Sequence, residues 1–258
     1  MNRIKFLGTA GARFVVMKHL RASGGLWITL DETNLLIDPG PGSLVRCLTS
    51  KPKLNPLDLN AIILTHRHLD HANDINIMIE AMTNGGFKKR GTVFAPQDAL
   101  SQDPVILRYI REYVASIEIL HEQGEYHIGN LFFSTPKKHI HGVETYGLNL
   151  HGKNHTISLI TDTKYFNGLE RHYHNDIVII NVVRLEPKEG VNHLCLQDVE
   201  TILSHLKPNL CILTHFGMTV LKAKPWKLAK TLTEKYKVTV LAAHDGMNID
   251  LDSITKKK

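Results

Sequence analysis

The segment LTHRHLDHA, residues 64–72, places His66, His68, Asp70 and His71 within six positions, directly after the apolar run NAIIL. Neutral imidazoles and carboxylates crowded together are costly to bury unless a cation compensates them. In the spacing H-x-H-x-D-H, His66 and His68 sit two apart on a short loop and can turn toward one cation. Asp70 and His71, at the start of a helix, can turn toward a second. Imidazole and carboxylate donors suit zinc, with manganese or iron as the alternatives. The expectation is a centre holding two divalent metal ions.

Such a centre needs a rigid base. In α/β proteins, ligands bind outside the carboxyl ends of strands, where loops present side chains. Further ionisable residues take that position: Asp38 ends NLLID, Asp162 follows TISLIT, His215 follows LCILT and His244 follows VTVLAA. With 16 histidines in the chain, some fall at strand ends by chance. A dense cluster together with several strand ends points to one focus.

Short apolar runs that alternate with helical periodicity supply the elements. Strands are predicted at RIKFL, LWITL, NLLID, AIILT, TVFA, NLFFS, ETYGLNL, TISLIT, DIVIINVV, LCILT, VTVLA and MNIDL. Helices are predicted over 43–49, 71–83, 103–114, 196–206 and 225–236. Turn signals stand at DPGPG, TNGGF, QGEYHIGN and HGKN. Hairpin-like strands followed by helices in each half suggest an α/β protein with two sheets face to face and helices outside, a four-layer sandwich.

The chain has 258 residues, 43% hydrophobic and 22% charged, so a core large enough to hold a polar site is affordable without disulfide staples. Cys47, Cys195 and Cys211 are scattered, which suits a reducing cytoplasm and argues against a cysteine-based zinc site. The N-terminal MNRIKFLGTAG reads as a first strand and not a signal peptide, and no apolar run is long enough to span a membrane. Net charge is +6. Basic clusters stand at FKKRG, TPKKH, LKAKPWK and the terminal TKKK. With little aromatic interleaving, solvated surface is their plainer reading, and attraction to phosphates the sharper one.

On the quoted motifs the sequence resembles the metallo-β-lactamase superfamily, whose signature is written here as THRHLDH. The resemblance runs from FLGTAGARF to AAHDGMNI and implies the αβ/βα sandwich, with residues 1–258 as a single hydrolase domain. Asp38 in LLIDPGPG matches the aspartate that supports the metal loop from behind. His141 in HGVETYG matches the third-motif histidine and is preferred to His139 for its TYG continuation. Asp162 in LITDT matches the bridging aspartate, and His215 in ILTHFG the last ligand of the phosphodiesterase branch. The resemblance thus implies His66, His68 and His141 on one metal, Asp70, His71 and His215 on the other, and Asp162 between them. His244, in AAHDGM, is read as a wall of the site.

His193 in VNHLCLQDVETIL stands twenty-two positions before His215, just ahead of a predicted helix. It resembles the extra histidine of phosphodiesterase members such as ribonuclease Z and the cyclic-phosphate phosphodiesterase of phosphonate breakdown. Only twenty-one positions separate His141 from Asp162, too few for the long substrate arm of ribonuclease Z. The cysteine-rich zinc site of the phosphonate enzyme is missing too, since no cysteine precedes Cys47. The resemblance is therefore to the branch. It implies a metal-dependent phosphodiesterase in which the metals lower the pKa of a water and present hydroxide to phosphorus. Asp70 would also orient the nucleophile, and protonated His193 would serve the leaving oxygen as general acid. Its substrate would be a small phosphodiester or a nucleic acid fragment, with no membrane partner and room for a homodimer. The alternatives are acyl, lactone or thioester hydrolysis on the same metals, and a ribonuclease Z-like nuclease without the arm. Near the N-terminus, GTAGARFVVMKHLRASGG could bring Arg13 or Arg21 toward a phosphate, although its glycines are explained by tight turns.

Overall fold

The computed structural model describes residues 1–254; the terminal TKKK cluster lies outside the described residues. The chain first lays down β1 (Arg3–Phe6), β2 (Leu26–Leu30), β3 (Thr33–Ile37), β4 (Ala61–Ile63), β5 (Thr92–Pro96) and β6 (Ser116–Leu120). A second sheet follows from β7 (Gly124–Ile128), β8 (Leu131–Thr135), β9 (Leu148–His151), β10 (Thr156–Ile160), β11 (Ile177–Asn181), β12 (Leu210–Thr214) and β13 (Thr239–Ala242). The last strand, β14 (Asn248–Asp250), returns to the first sheet beside β1. The orders are β14-β1-β2-β3-β4-β5-β6 and β13-β12-β11-β10-β9-β8-β7. In each sheet one half pairs antiparallel, while β3 to β6 and β10 to β13 run parallel.

The alternation of side chains along each strand explains the layers. Leu26 and Ile28 of β2, Ile157 and Leu159 of β10, and Ile177 and Ile179 of β11 pack into one apolar cluster between the sheets. Their neighbours point outward. Trp27, Leu36, Ile62 and Val93 meet α2 (Ser43–Thr49) and α4 (Ile75–Met82) on the first sheet. Val178, Ile180, Cys211 and Leu213 meet α5 (Leu196–His205), α6 (Met218–Lys222) and α7 (Pro225–Tyr236) on the second. Strands covered on both faces read as continuous apolar runs, which is why β11 and β12 were legible as IVIIN and LCILT. The predicted four-layer sandwich is the observed fold. Two short helices complete it, α1 (Ala12–Met17) and α3 (Leu69–Ala72).

Local expectations fail where tertiary bonds compete. The helix expected over 71–83 is divided into α3 and α4, because the Asp74 amide donates to the Pro39 carbonyl and its carboxylate accepts from the Leu44 amide. Over 103–114 only a 3₁₀ segment, Arg108–Tyr113, forms. There the Arg111 guanidinium takes the carbonyls of Leu100 and Ile106 at 2.8 and 2.7 Å, so these need no helical partner. QGEYHIGN, expected to turn, holds β7. Its alternation of buried Gly124, Tyr126 and Ile128 with exposed Glu125 and His127 outweighs the flanking glycines. β6, α1 and α6 have no counterpart among the predicted elements: the two helices are too short to show a period, and β6, fully buried only at Leu120, lacks a clean alternation.

Candidate metal centre

The parallel strands of both sheets release their loops at one edge of the sandwich. Asp38 leaves β3, His66 and His68 leave β4, and Asp70 and His71 open α3. From the second sheet, His141 lies between β8 and β9, Asp162 follows β10, His193 precedes α5 and His215 follows β12. All of them meet. Donor atoms fall into groups lying within 4.8 Å of one another: His66, His68 and His141; Asp70, His71 and His215; and His141, Asp162 and His193.

Asp162 is the hub. Its Oδ2 lies 3.8 Å from His66 Nε2, 3.5 Å from His71 Nε2, 3.9 Å from His141 Nε2 and 3.4 Å from His193 Nδ1. Its Oδ1 lies 3.4 Å from His215 Nε2. Asp70 Oδ2 stands 3.6 Å from His215 Nε2 and 3.8 Å from His71 Nε2. Most of these separations are long for hydrogen bonds. They suit donors sharing an ion, since atoms bound at ~2.0–2.2 Å in a tetrahedral shell stand roughly 3–4 Å apart.

The partners behind the rings fix which nitrogen is free. Thr65 Oγ1 donates to Asp38 Oδ2 at 2.7 Å, so it is left to accept from His66 Nδ1 at 3.2 Å. His71 Nδ1 donates to Asp38 Oδ2 at 2.9 Å, and His141 Nδ1 to the Asn192 carbonyl at 2.8 Å. In all three rings the Nδ1 proton points outward and Nε2 faces the cluster. His66 Nε2, His71 Nε2, His193 Nδ1 and His215 Nε2 are buried with no hydrogen-bond partner. Such atoms are rarely left so in a folded protein. His68 Nδ1 and His141 Nε2 stand 3.0 Å apart, a separation that needs a proton or a cation to accommodate two lone pairs. The donor set therefore fits divalent cations.

Charge follows the same logic. Burial keeps His66 well below the usual imidazole pKa, and burial with the neighbouring His141 lowers His68 to about 4, so both rings are neutral donors. Burial also opposes charge on His71, but Asp70, Asp38 and Asp162 outweigh it and hold its pKa well above the usual value. A cation bound at Nε2 would take the place of that proton. Burial works against ionisation of Asp162 and Asp70, yet the surrounding histidines, His215 first for Asp162 and His71 first for Asp70, keep both below the ordinary carboxylate range.

His139 stands behind the cluster, bonded through Nε2 to the Tyr173 hydroxyl at 2.6 Å and through Nδ1 to the Asp162 carbonyl at 3.3 Å. His141, and not His139, lies among the clustered donor atoms. His244 is exposed, with its ring Nδ1 on the Asp245 carbonyl at 3.2 Å, and among the described residues it joins none of the clustered donor groups. Arg13 is exposed on α1, and Arg21 Nη1 is 3.4 Å from Thr9 Oγ1. The N-terminal glycines serve close packing: a Cβ on Gly11 would stand 2.0 Å from the His215 carbonyl oxygen. His215 and Asp38 adopt φ of 60° and 53°, a left-handed conformation that costs a non-glycine residue ~1–2 kcal/mol. The packing around the site holds that strain.

Several supporting residues escaped the sequence. Asn181, at the end of β11, donates from Nδ2 to Asp162 Oδ1 at 2.9 Å and so orients the hub. A lone polar residue closing an apolar run was the available signal. Asp245 accepts from the Thr9 amide, the Thr9 hydroxyl and the Ala22 amide, at 3.0, 2.7 and 2.7 Å, anchoring the N-terminal loop. Arg67 turns away from the metal donors toward Asp98, with Nε 3.4 Å from Oδ2. Asp98 in turn exchanges bonds with Glu144: each backbone amide donates to the other's carboxylate, at 3.3 and 3.0 Å. This clamp ties the His66–His68 loop to the loop carrying His141.

Comparison with known proteins agrees with the fold and the motifs. Residues 33–216 match a family model described as a beta-lactamase superfamily domain. An uncharacterized protein of Methanocaldococcus jannaschii is 27% identical over 261 residues, covering 96% of this chain and 94% of its own. Among solved structures, the metallo-beta-lactamase fold protein YhfI of Bacillus subtilis superposes with a TM-score of 0.78 at 19% identity, covering 96% of this chain and 98% of its own. A diphosphatase from the PhnP family superposes at 0.71, also 19% identical, covering 97% and 98%. At these identities the two structures speak to the fold alone.

Proposed function

The chain belongs to the metallo-β-lactamase superfamily, and from that membership we propose that it is a dinuclear metal-dependent phosphodiesterase formed by residues 1–258 as one hydrolase domain. The observation that carries the proposal is the set of buried, partnerless ring nitrogens gathered around Asp162, with His193 among them. His66, His68 and His141 would hold one ion, Asp70, His71 and His215 the other, and Asp162 both. Bound there, zinc or a similar divalent ion would activate water and offset charge on the non-bridging phosphate oxygens. The protein supplies the rest. Asp38, Thr65, Asn181 and the Asn192 carbonyl lock donor orientation before substrate arrives. Asp70 would also orient the nucleophile.

His193 would serve the leaving oxygen. Its Nδ1 stands 3.4 Å from Asp162 Oδ2, and its ring meets that of His141 edge-on at 5.0 Å between centroids. The presence of His193 at this centre, which resembles the extra histidine of phosphodiesterase members, supports phosphorus over acyl carbon as the electrophile. Three free, buried cysteines support a cytoplasmic location, and no helix among the described residues is long and apolar enough to cross a membrane.

The test sets bis(p-nitrophenyl) phosphate against a thioester and a lactone, using metal-loaded protein and His193→Ala. The phosphodiester should be turned over fastest, and the variant should keep its metal while losing roughly 10²–10⁴-fold in turnover. Faster hydrolysis of the thioester or lactone would establish the acyl alternative. Full activity in His193→Ala would remove that residue from the chemistry.

A further inference from the structure

The segment that follows His215 is unlike the rest of the surface. Between Glu200 and Glu234 the chain contains no acidic residue. Within this stretch Lys222, Lys224, Lys227 and Lys230 are exposed on α6, α7 and their junction. Lys230 has a loose partner, Glu234 at 3.9 Å, and among the described residues no ion pair engages the other three. In their midst Trp226 is 59% exposed, a large aromatic left on the surface of an otherwise well-packed helix. The basic cluster LKAKPWK carries this tryptophan in its sequence, and the structure leaves its indole exposed beside the lysines.

Position links this surface to the metal centre. α6 starts three residues after His215, and the hydroxyl of its Thr219 accepts from the Leu185 amide at 3.3 Å, in the segment leading to His193. The surface therefore continues directly from the chain segment that carries His215.

We propose that Trp226 and the lysines of the α6–α7 junction form a docking platform for a single strand of nucleic acid whose phosphodiester is presented to the metal centre. The inference rests on the phosphodiesterase reading and deepens it to a nucleic acid substrate. A strand offers what the platform lacks: phosphates spaced for separate ammonium groups, and bases whose faces stack on an indole. A duplex hides its bases within the stack, so Trp226 selects for the unpaired strand.

The probe is a fluorescein-labelled phosphorothioate thymidylate of about 15 nucleotides, which resists hydrolysis and spans a typical single-strand site. It is titrated against the full metal-loaded chain by anisotropy at several salt concentrations. Wild type should bind the strand more tightly than a duplex of equal length. With four lysines engaged, its log–log salt slope should approach about −3. Trp226→Ala should weaken binding roughly tenfold or more, the size of one base–aromatic stack, with Trp226→Phe intermediate. Lys222→Gln with Lys224→Gln should flatten the slope by about 1.4. All these variants should hydrolyse bis(p-nitrophenyl) phosphate as wild type does. Unchanged strand affinity in Trp226→Ala and in the lysine double variant overturns the platform. So does binding to phosphatidylserine vesicles without binding to the strand. Intact strand binding with no hydrolysis of any phosphodiester would instead overturn the enzymatic reading and leave the platform standing.

Discussion

Replacing Asp38 with asparagine tests whether the donors are preset from behind. The carboxylate is buried and accepts three bonds: Oδ1 from the Thr65 amide at 2.7 Å, and Oδ2 from the Thr65 hydroxyl at 2.7 Å and His71 Nδ1 at 2.9 Å. Asparagine keeps the shape but turns one acceptor into a donor. If its NH₂ faces His71, that ring must accept at Nδ1 and carry its proton on Nε2, which closes the ligand position. If the amide flips, NH₂ meets the Thr65 amide donor in a buried place. Either arrangement leaves one buried donor unsatisfied, at about 1–3 kcal/mol. Loss of a supporting carboxylate behind a metal-binding histidine should also weaken the metal by about 10–100-fold. Competition with a chromophoric chelator measures the affinity, and urea unfolding of chelator-treated protein measures the stability. A folded Asp38→Asn that binds metal as tightly as wild type would refute the argument that Asp38 sets the His71 tautomer.

Equilibrium dialysis should find two zinc or similar ions per chain, and removing them should lower the melting temperature by on the order of 10 °C, because the folded state alone presents the site; superimposable melts with and without chelator would contradict it. Asp98→Ala removes the ion-pair partner of Arg67 and the acceptor of the Glu144 amide, so metal affinity should drop several-fold and the absorption bands of cobalt-substituted protein should shift. Asp103→Ala, removing a carboxylate 95% exposed, should do neither. Burial lowers His139 to about 3, below the ordinary histidine value near 6.5, so the unfolded chain binds the extra proton between those values. The stability from keeping this ring neutral is complete above pH 6.5 and is lost toward pH 3, at ~1.4 kcal/mol per pH unit per proton. In chelator, His139→Gln should show a shallower acid dependence than wild type, and an identical slope would exclude the residue.

The sequence by itself determined which donors exist and most of the strands that carry them. THRHLDH holds its residues together because they are neighbours on one loop, and the runs IVIIN and LCILT declare strands covered on both faces. Asp162 and His215 were also visible, each polar at the end of an apolar run. The helices at 43–49, 196–206 and 225–236 were legible because their periodicity covers two turns or more.

Only the tertiary structure decided which nitrogen of each ring faces the cluster, since that depends on groups distant in sequence: Asp38 behind His71, the Asn192 carbonyl behind His141, Asn181 beneath Asp162. It likewise separated His141 from His139, two residues apart, placing one ring 3.0 Å from His68 and the other against Tyr173. It divided the helix expected over 71–83 and replaced the one over 103–114, where side chains and loops compete for backbone groups. The physical division is one of range. Hydrophobic periodicity is a local property that a sequence displays directly, whereas donor orientation comes from hydrogen bonds that exist only after two sheets have packed together.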